Sequence, residues 1–135
     1  MARVPRKGSL MRHVVSAMLL LVAVIHLLPV AGVLGADQLA RLYGVPVSGP
    51  DLAILMRHRA VLFGLLGVLL AVAAFVPALQ VAALAAGFVS VGSFLLLAWF
   101  TGGYNAQIAR VVVADLVATA GLAVGAVAYV LARRG

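Results

Sequence analysis

The sequence predicts an all-α integral membrane protein: a four-helix bundle with a short interfacial helix between spans one and two. Three observations carry that prediction. Four apolar runs, at about residues 14–34, 60–76, 78–100 and 111–132, fill most of the chain, and at about 1.5 Å per residue each is long enough for a hydrocarbon core of about 30 Å. Hydrophobic residues make up 66% of the 135 positions and only 10% are charged, with a mean hydropathy of +1.24. A soluble domain of this length has too little polar surface to cover that much apolar area. Finally, the polar residues between the runs collect at one end of the hairpins that the runs would form.

Taken in order, residues 1–12 read as a basic cytoplasmic tail carrying Arg3, Arg6, Lys7 and Arg12. A basic start, an apolar stretch and Val33-Leu34-Gly35 have the outline of a cleaved signal, but the stretch of about 20 residues exceeds a signal core, so a retained span is expected. Met11 is an alternative start. The first span, about 14–34, contains His26 and Pro29; the proline removes a backbone hydrogen bond and is expected to bend the helix. Residues 36–51 are too polar to cross. Within them Gln38 to Tyr43 have helical spacing, with Asp37 as N-cap and Gly44 as the stop. In this reading Leu39, Leu42 and Tyr43 face lipid, and Gln38 and Arg41 face water.

Pro46 and Ser48-Gly49-Pro50 make a turn, after which Asp51 is expected to cap a second span of about 52–76. Arg57-His58-Arg59 then falls inside the helix, close enough to its start for the arginines to snorkel. Phe75-Val76-Pro77-Ala78 is a tight turn into a third span of about 78–100. Thr101-Gly102-Gly103-Tyr104-Asn105 forms a loop, and Asn105 is placed to cap a fourth span of about 107–132. Gly121 and Gly125 make a GxxxG pair, and Ala83 and Gly87 a looser one, at the spacing that lets helix backbones approach in lipid. The whole of 1–135 reads as one membrane domain.

The chain has no cysteine, which excludes disulfides, thiol redox chemistry and Cys-ligated metals. Its net charge of +7 does not indicate nucleic-acid binding, because the bases sit at the ends of apolar runs, where they orient the chain in a membrane. Four spans put both termini on one side. Six bases lie there (Arg3, Arg6, Lys7, Arg12, Arg133, Arg134) and four on the other (Arg41, Arg57, Arg59, Arg110). The positive-inside bias places both termini in the cytoplasm.

That topology gathers a polar cluster in the outer leaflet. His26 lies about 12 Å in from Leu34, His58 about 9 Å in from Leu52, and Asp115 about 8 Å in from Arg110. Ionisable groups at membrane depth are costly and usually face the bundle interior and pair. Asp115 is the only acid within an apolar run, and Arg57 or Arg59 is its natural partner. These two are about 200° apart on the helix, so only one can face inward. His26, Arg57, His58, Arg59, Tyr104, Asn105 and Asp115 are therefore the candidate lining of a polar cavity. The structural alternative is an interfacial arginine anchor, an Asp–Arg pair joining two helices, and His26 bonded to the Ile25 carbonyl freed by Pro29.

His26-Leu27-Leu28-Pro29 with Gly32 and Gly35, Leu42-Tyr43-Gly44-Val45, Arg57-His58-Arg59-Ala60 with Leu62-Phe63-Gly64, and Gly102-Gly103-Tyr104-Asn105 resemble strings in a family of small bacterial four-helix membrane proteins. The resemblance covers about residues 22–115. The family is similar in general plan to DoxX-like proteins, and the resemblance implies a multi-pass protein of the bacterial inner membrane. Members often carry the label phosphopantetheine adenylyltransferase. That enzyme is a soluble α/β nucleotidyltransferase with a His-x-Gly-His signature, which this chain lacks.

Four functional classes fit these residues. The first is a non-catalytic accessory or lipid-associated component, within a homo-oligomer or a larger membrane complex. The second is a membrane-embedded enzyme or binder for a lipophilic ligand such as a quinone or isoprenoid. No cofactor is expected, but a haem b held by His26 and His58 makes a third class. The fourth, a small transporter, is disfavoured because four-helix exporters use a carboxylate deep in the first helix, where this chain has His26. The partners expected are membrane lipids, not nucleic acid.

Overall fold

The computed structural model describes residues 7–135. Five α-helices account for nearly all of them: α1 (Lys7–Leu27), α2 (Ala36–Tyr43), α3 (Pro50–Ala73), α4 (Gln80–Thr101) and α5 (Ala106–Arg134). Two 3₁₀ segments, Leu28–Leu34 and Pro77–Leu79, complete the fold. Four stretches, Lys7–Leu34, Pro50–Ala73, Pro77–Thr101 and Ala106–Arg134, are long and apolar enough to cross a membrane, so the chain is a multi-pass membrane protein. Their outer faces carry large exposed apolar side chains, with Trp99 and Phe100 more than four-fifths exposed, as a lipid-facing surface requires.

α1 lies between α5 and α3, and α4 closes the ring by packing on both of those helices. The core is small and apolar: Leu19, Val22, Leu70, Ala83, Ala118 and Leu122 are fully buried. The Gly121–Gly125 pair faces α1, where a Cβ on Gly125 would stand 3.3 Å from the Cβ of Met18. Gly87 receives Leu122 in the same way, a Cβ there falling 2.9 Å from its Cδ2. The small residues at these positions set how closely the helices approach. Both ends of the described chain meet, Gly8 lying against Gly135, so the bundle has a terminal end and a loop end.

Several boundaries differ from the sequence reading. Residues 7–12, expected in the tail, are the first turns of α1, and residues 1–6 lie outside the described residues. Extending a formed helix adds one hydrogen bond per residue, and Lys, Leu, Met and Arg are good helix formers whatever their polarity. At the other end α1 stops at Leu27, and Pro29 opens a seven-residue 3₁₀ segment in place of a bent α-helix. Neither Asp37 nor Asp51 is a cap. Gly35 and Gly49 occupy those positions, and each acid sits in the first turn, where its charge complements the helix N-terminus. Pro50 fills the opening position of α3, where its missing N–H has no cost. Gly44 ends α2 in the left-handed conformation, φ +63, its N–H donating to the Ala40 carbonyl.

The short helix α2 is also turned differently from expectation. Leu39 and Tyr43 are buried, so its apolar face meets the bundle and not lipid. Gly32 makes room for it: a Cβ there would lie 2.6 Å from Cδ2 of Leu39. α2 thus lies across the loop end, against the 3₁₀ segment, α3 and α5.

Candidate functional site

The loop end encloses a cavity of about 260 Å³ among the end of α1, α2, α3 and α5. His26 reaches it from the last turn of α1, and its side chain is buried, with 1% exposure. Nδ1 lies 2.9 Å from the Val22 carbonyl oxygen. A carbonyl only accepts, so Nδ1 carries a proton, and in the neutral ring Nε2 then presents a lone pair. That atom accepts from the Ser90 hydroxyl of α4 at 3.2 Å. Sequence reasoning named Ile25 as the acceptor; in a helix a side chain folds back one turn, four residues, which leads from His26 to Val22. The ring also lies against Phe63 of α3, centroids 5.7 Å apart.

Asp115 enters from α5 with 8% exposure. Its backbone carbonyl accepts from Thr119, while its carboxylate has no hydrogen-bond partner among the described residues and lines the cavity. Of the two arginines expected to partner it, Arg59 shares its cavity and Arg57 does not. Asp115 and Arg59 both line the cavity, but no salt bridge joins them among the described residues, so the expected contact pair is absent. Arg59 is engaged elsewhere. Its guanidinium carbon sits 5.1 Å from the Tyr43 ring centroid and 4.7 Å from that of Phe63. A guanidinium at such distances from aromatic faces is held by their quadrupoles.

The other predicted residues do not line this space. Arg57 is exposed and donates from Nε to the Val33 carbonyl at 2.9 Å, fastening α3 to the 3₁₀ segment. His58 is exposed and lies outside the cavity, so the two histidines weighed as haem ligands are not brought to a common space. Tyr104 is 45% exposed on the loop. Asn105 serves the structure itself. Its Oδ1 accepts from the Ile108 N–H at 2.8 Å, capping α5, while Nδ2 donates to the Tyr43 and Gly44 carbonyls. One side chain therefore starts α5 and ties α2 to it.

Residues outside the predicted set complete the lining. Arg41 comes from α2, and Gln107 and Arg110 from the first turns of α5. Their polarity beside an apolar run was the available signal. Ser90, Phe63 and Tyr43 gave no comparable signal, being ordinary residues for a membrane span or an amphipathic helix. The cavity thus holds three arginines (Arg41, Arg59, Arg110) against one carboxylate, with Ile25, Leu28, Val111 and Ala114 as its apolar wall. No family model, no curated protein and no solved structure matches this chain, and these comparisons leave the DoxX-like resemblance untouched.

Proposed function

We propose that this chain is a lipid-associated membrane protein whose loop-end cavity binds the head of an amphiphile, with the tail left in the bilayer. The observation that carries this reading is the Asp115 carboxylate: 8% exposed, without a hydrogen-bond partner, and lining the same space as His26 and Arg59. No buried side-chain oxygen of the described residues lacks a partner, so the unpaired carboxylate opens onto the cavity, and that position favours a site that a ligand completes over a sealed structural cluster. The excess of guanidinium groups selects a head that is anionic or rich in acceptors, which includes acidic lipids and the carbonyls of a quinone. At about 260 Å³ the space falls below the roughly 300–1,000 Å³ of sites that enclose a whole small molecule. A head group fits, and the tail leaves among the apolar side chains.

In this reading Arg59 fixes the charge of the head, Asp115 accepts from a hydroxyl that the head also carries, and His26, whose Nε2 is already engaged by Ser90, holds the inner wall. The six-to-four distribution of bases supports cytoplasmic termini, with the cavity in the outer leaflet of an inner membrane. Mass spectrometry of lipid released from purified protein tests the binding. One amphiphile should be enriched over the surrounding membrane and lost in Asp115→Asn and Arg59→Gln. If the parent and both variants release the same unenriched mixture, the cavity is not a binding site.

A further inference from the structure

At the opposite end of the bundle, between α1, the α3–α4 turn and the end of α5, lies a second and larger cleft of about 770 Å³. Three features distinguish it from a packing defect. Gln80 lines it with only 8% exposure, and its carboxamide has no hydrogen-bond partner among the described residues. No buried side-chain nitrogen or oxygen of the described residues lacks a partner, so what little of Gln80 is exposed is its amide, a free donor and acceptor that opens onto the cleft. Arg12 and Arg133 reach the same space from two different helices. Arg133 is held in position, with Nη1 donating to the Tyr129 hydroxyl at 3.0 Å. Lastly, no acidic side chain opposes them: the chain's only acids are Asp37, Asp51 and Asp115, in α2, in the first turn of α3 and at the loop-end cavity, and the one anionic group bordering the cleft, the carboxylate of Gly135, is set against two guanidinium groups.

Apart from Ser16 and Tyr129 the remaining side chains of the wall are apolar, among them Val15, Ala74, Phe75 and Pro77, and Phe75 is 73% exposed beside the opening. Ser16 fixes one wall by donating to the Ala74 carbonyl at 2.6 Å, which joins α1 to the end of α3. We propose that this cleft binds a phosphate ester borne by a membrane lipid, with the phosphate between Arg12 and Arg133, the Gln80 amide donating to one of its oxygens, and the acyl chains over Phe75. Basic pockets between spans suit such head groups, and two arginines on separate helices give the phosphate two independent charged donors. The site shares no residue with the loop-end cavity, so it stands whether or not that cavity binds anything.

The test is thermal unfolding of the full chain in a zwitterionic detergent, titrated in parallel with phosphatidylglycerol, phosphatidylcholine and inorganic phosphate. Phosphatidylglycerol should raise the melting temperature at concentrations where phosphatidylcholine and inorganic phosphate do not. Arg12→Gln and Arg133→Gln should each weaken that response about fivefold. Arg134→Gln, which removes a neighbouring charge outside the cleft, should leave it intact. Gln80→Glu keeps the size of the side chain, borders open space and places an anion against the phosphate; it should abolish the response even if an arginine variant fails to fold. Equal responses to the two lipids, a response that survives Gln80→Glu, or equal losses from Arg134→Gln and Arg133→Gln would each overturn the site. A response to inorganic phosphate that matches the lipid would overturn the lipid as its source.

Discussion

The two halves of α5 treat the same neighbour, α1, in opposite ways. Where Ala118, Gly121 and Gly125 face α1 the contact is closed: Gly121 and Gly125 lie against Val22 and Met18, and Ala118 has no exposure. Less than two turns from Ala118 toward the start of the helix, Val111, Ala114 and Asp115 border open space. Helix composition alone does not separate the halves, since both are rich in Val and Ala. What differs is whether a small residue falls at the contact and whether α1 is still an α-helix opposite it. Where glycines face Met18 and Val22 the backbones close together. Where α1 ends at Leu27 and the chain narrows into 3₁₀ turns, a gap is left that α2 partly roofs.

The two largest effects that would break this contrast are those of Leu122→Ala and Gly125→Leu. Added bulk against Met18 and Leu84 should splay the closed half, costing about 1–3 kcal/mol or more of stability in detergent, as overpacking does; Leu122→Ala should cost about 2–5 kcal/mol by leaving a void there. Unfolding midpoints measured on both variants check this, and values near the parent would show that the closed half is not closely packed. At the open half, Asn105→Ala should cost about 1–2 kcal/mol by removing the cap of α5 and should speed hydrogen exchange across α2. Asn105→Asp retains the cap acceptor and loses the donor to Tyr43 and Gly44, so it should loosen α2 while sparing the start of α5.

Asp115→Asn sharpens the comparison further. A direct buried ion pair would lose about 3–5 kcal/mol, but here no such contact exists, and the change in stability should stay below about 1 kcal/mol while ligand retention falls. A large loss of stability with ligand retention unchanged would make Asp115 structural. The smallest effect is expected from Ser90→Ala. It removes one hydrogen bond to Nε2 of His26, worth about 0.6 kcal/mol between membrane helices, and its signature is a shift of the His26 ring resonances.

The spans, the hairpin turn at Pro77, the cap at Asn105 and the placing of His26 and Asp115 at one end of the bundle were legible in the sequence because hydropathy and helix-end chemistry are local. Rotation was not. Arg57 and Arg59 are equivalent by pattern, and only packing against Tyr43 and Phe63 turns Arg59 inward. The same is true of α2, whose amphipathic face fits lipid and protein equally until Gly32 supplies a seat for Leu39. His58 and Tyr104 shared the right depth with His26 but not the right azimuth, which no count along the chain provides. Asp37 and Asp51 look like caps, yet a glycine two residues earlier in each case already starts the helix.

The 3₁₀ segment after Leu27 changes the counting rule for one stretch of the first span. With three residues per turn, side chains stack in straight columns and do not spiral. Leu28, Ala31 and Leu34 form one column and all are exposed, whereas Gly32, one column away, is buried. The chain therefore keeps one exposed ridge turned outward and the buried Gly32 turned to Leu39 of α2. Deleting one residue here would turn every later side chain through about 120°, carrying the ridge off the outward side and leaving Leu39 without its seat. This stretch should accordingly tolerate apolar replacements on its ridge but no change of length.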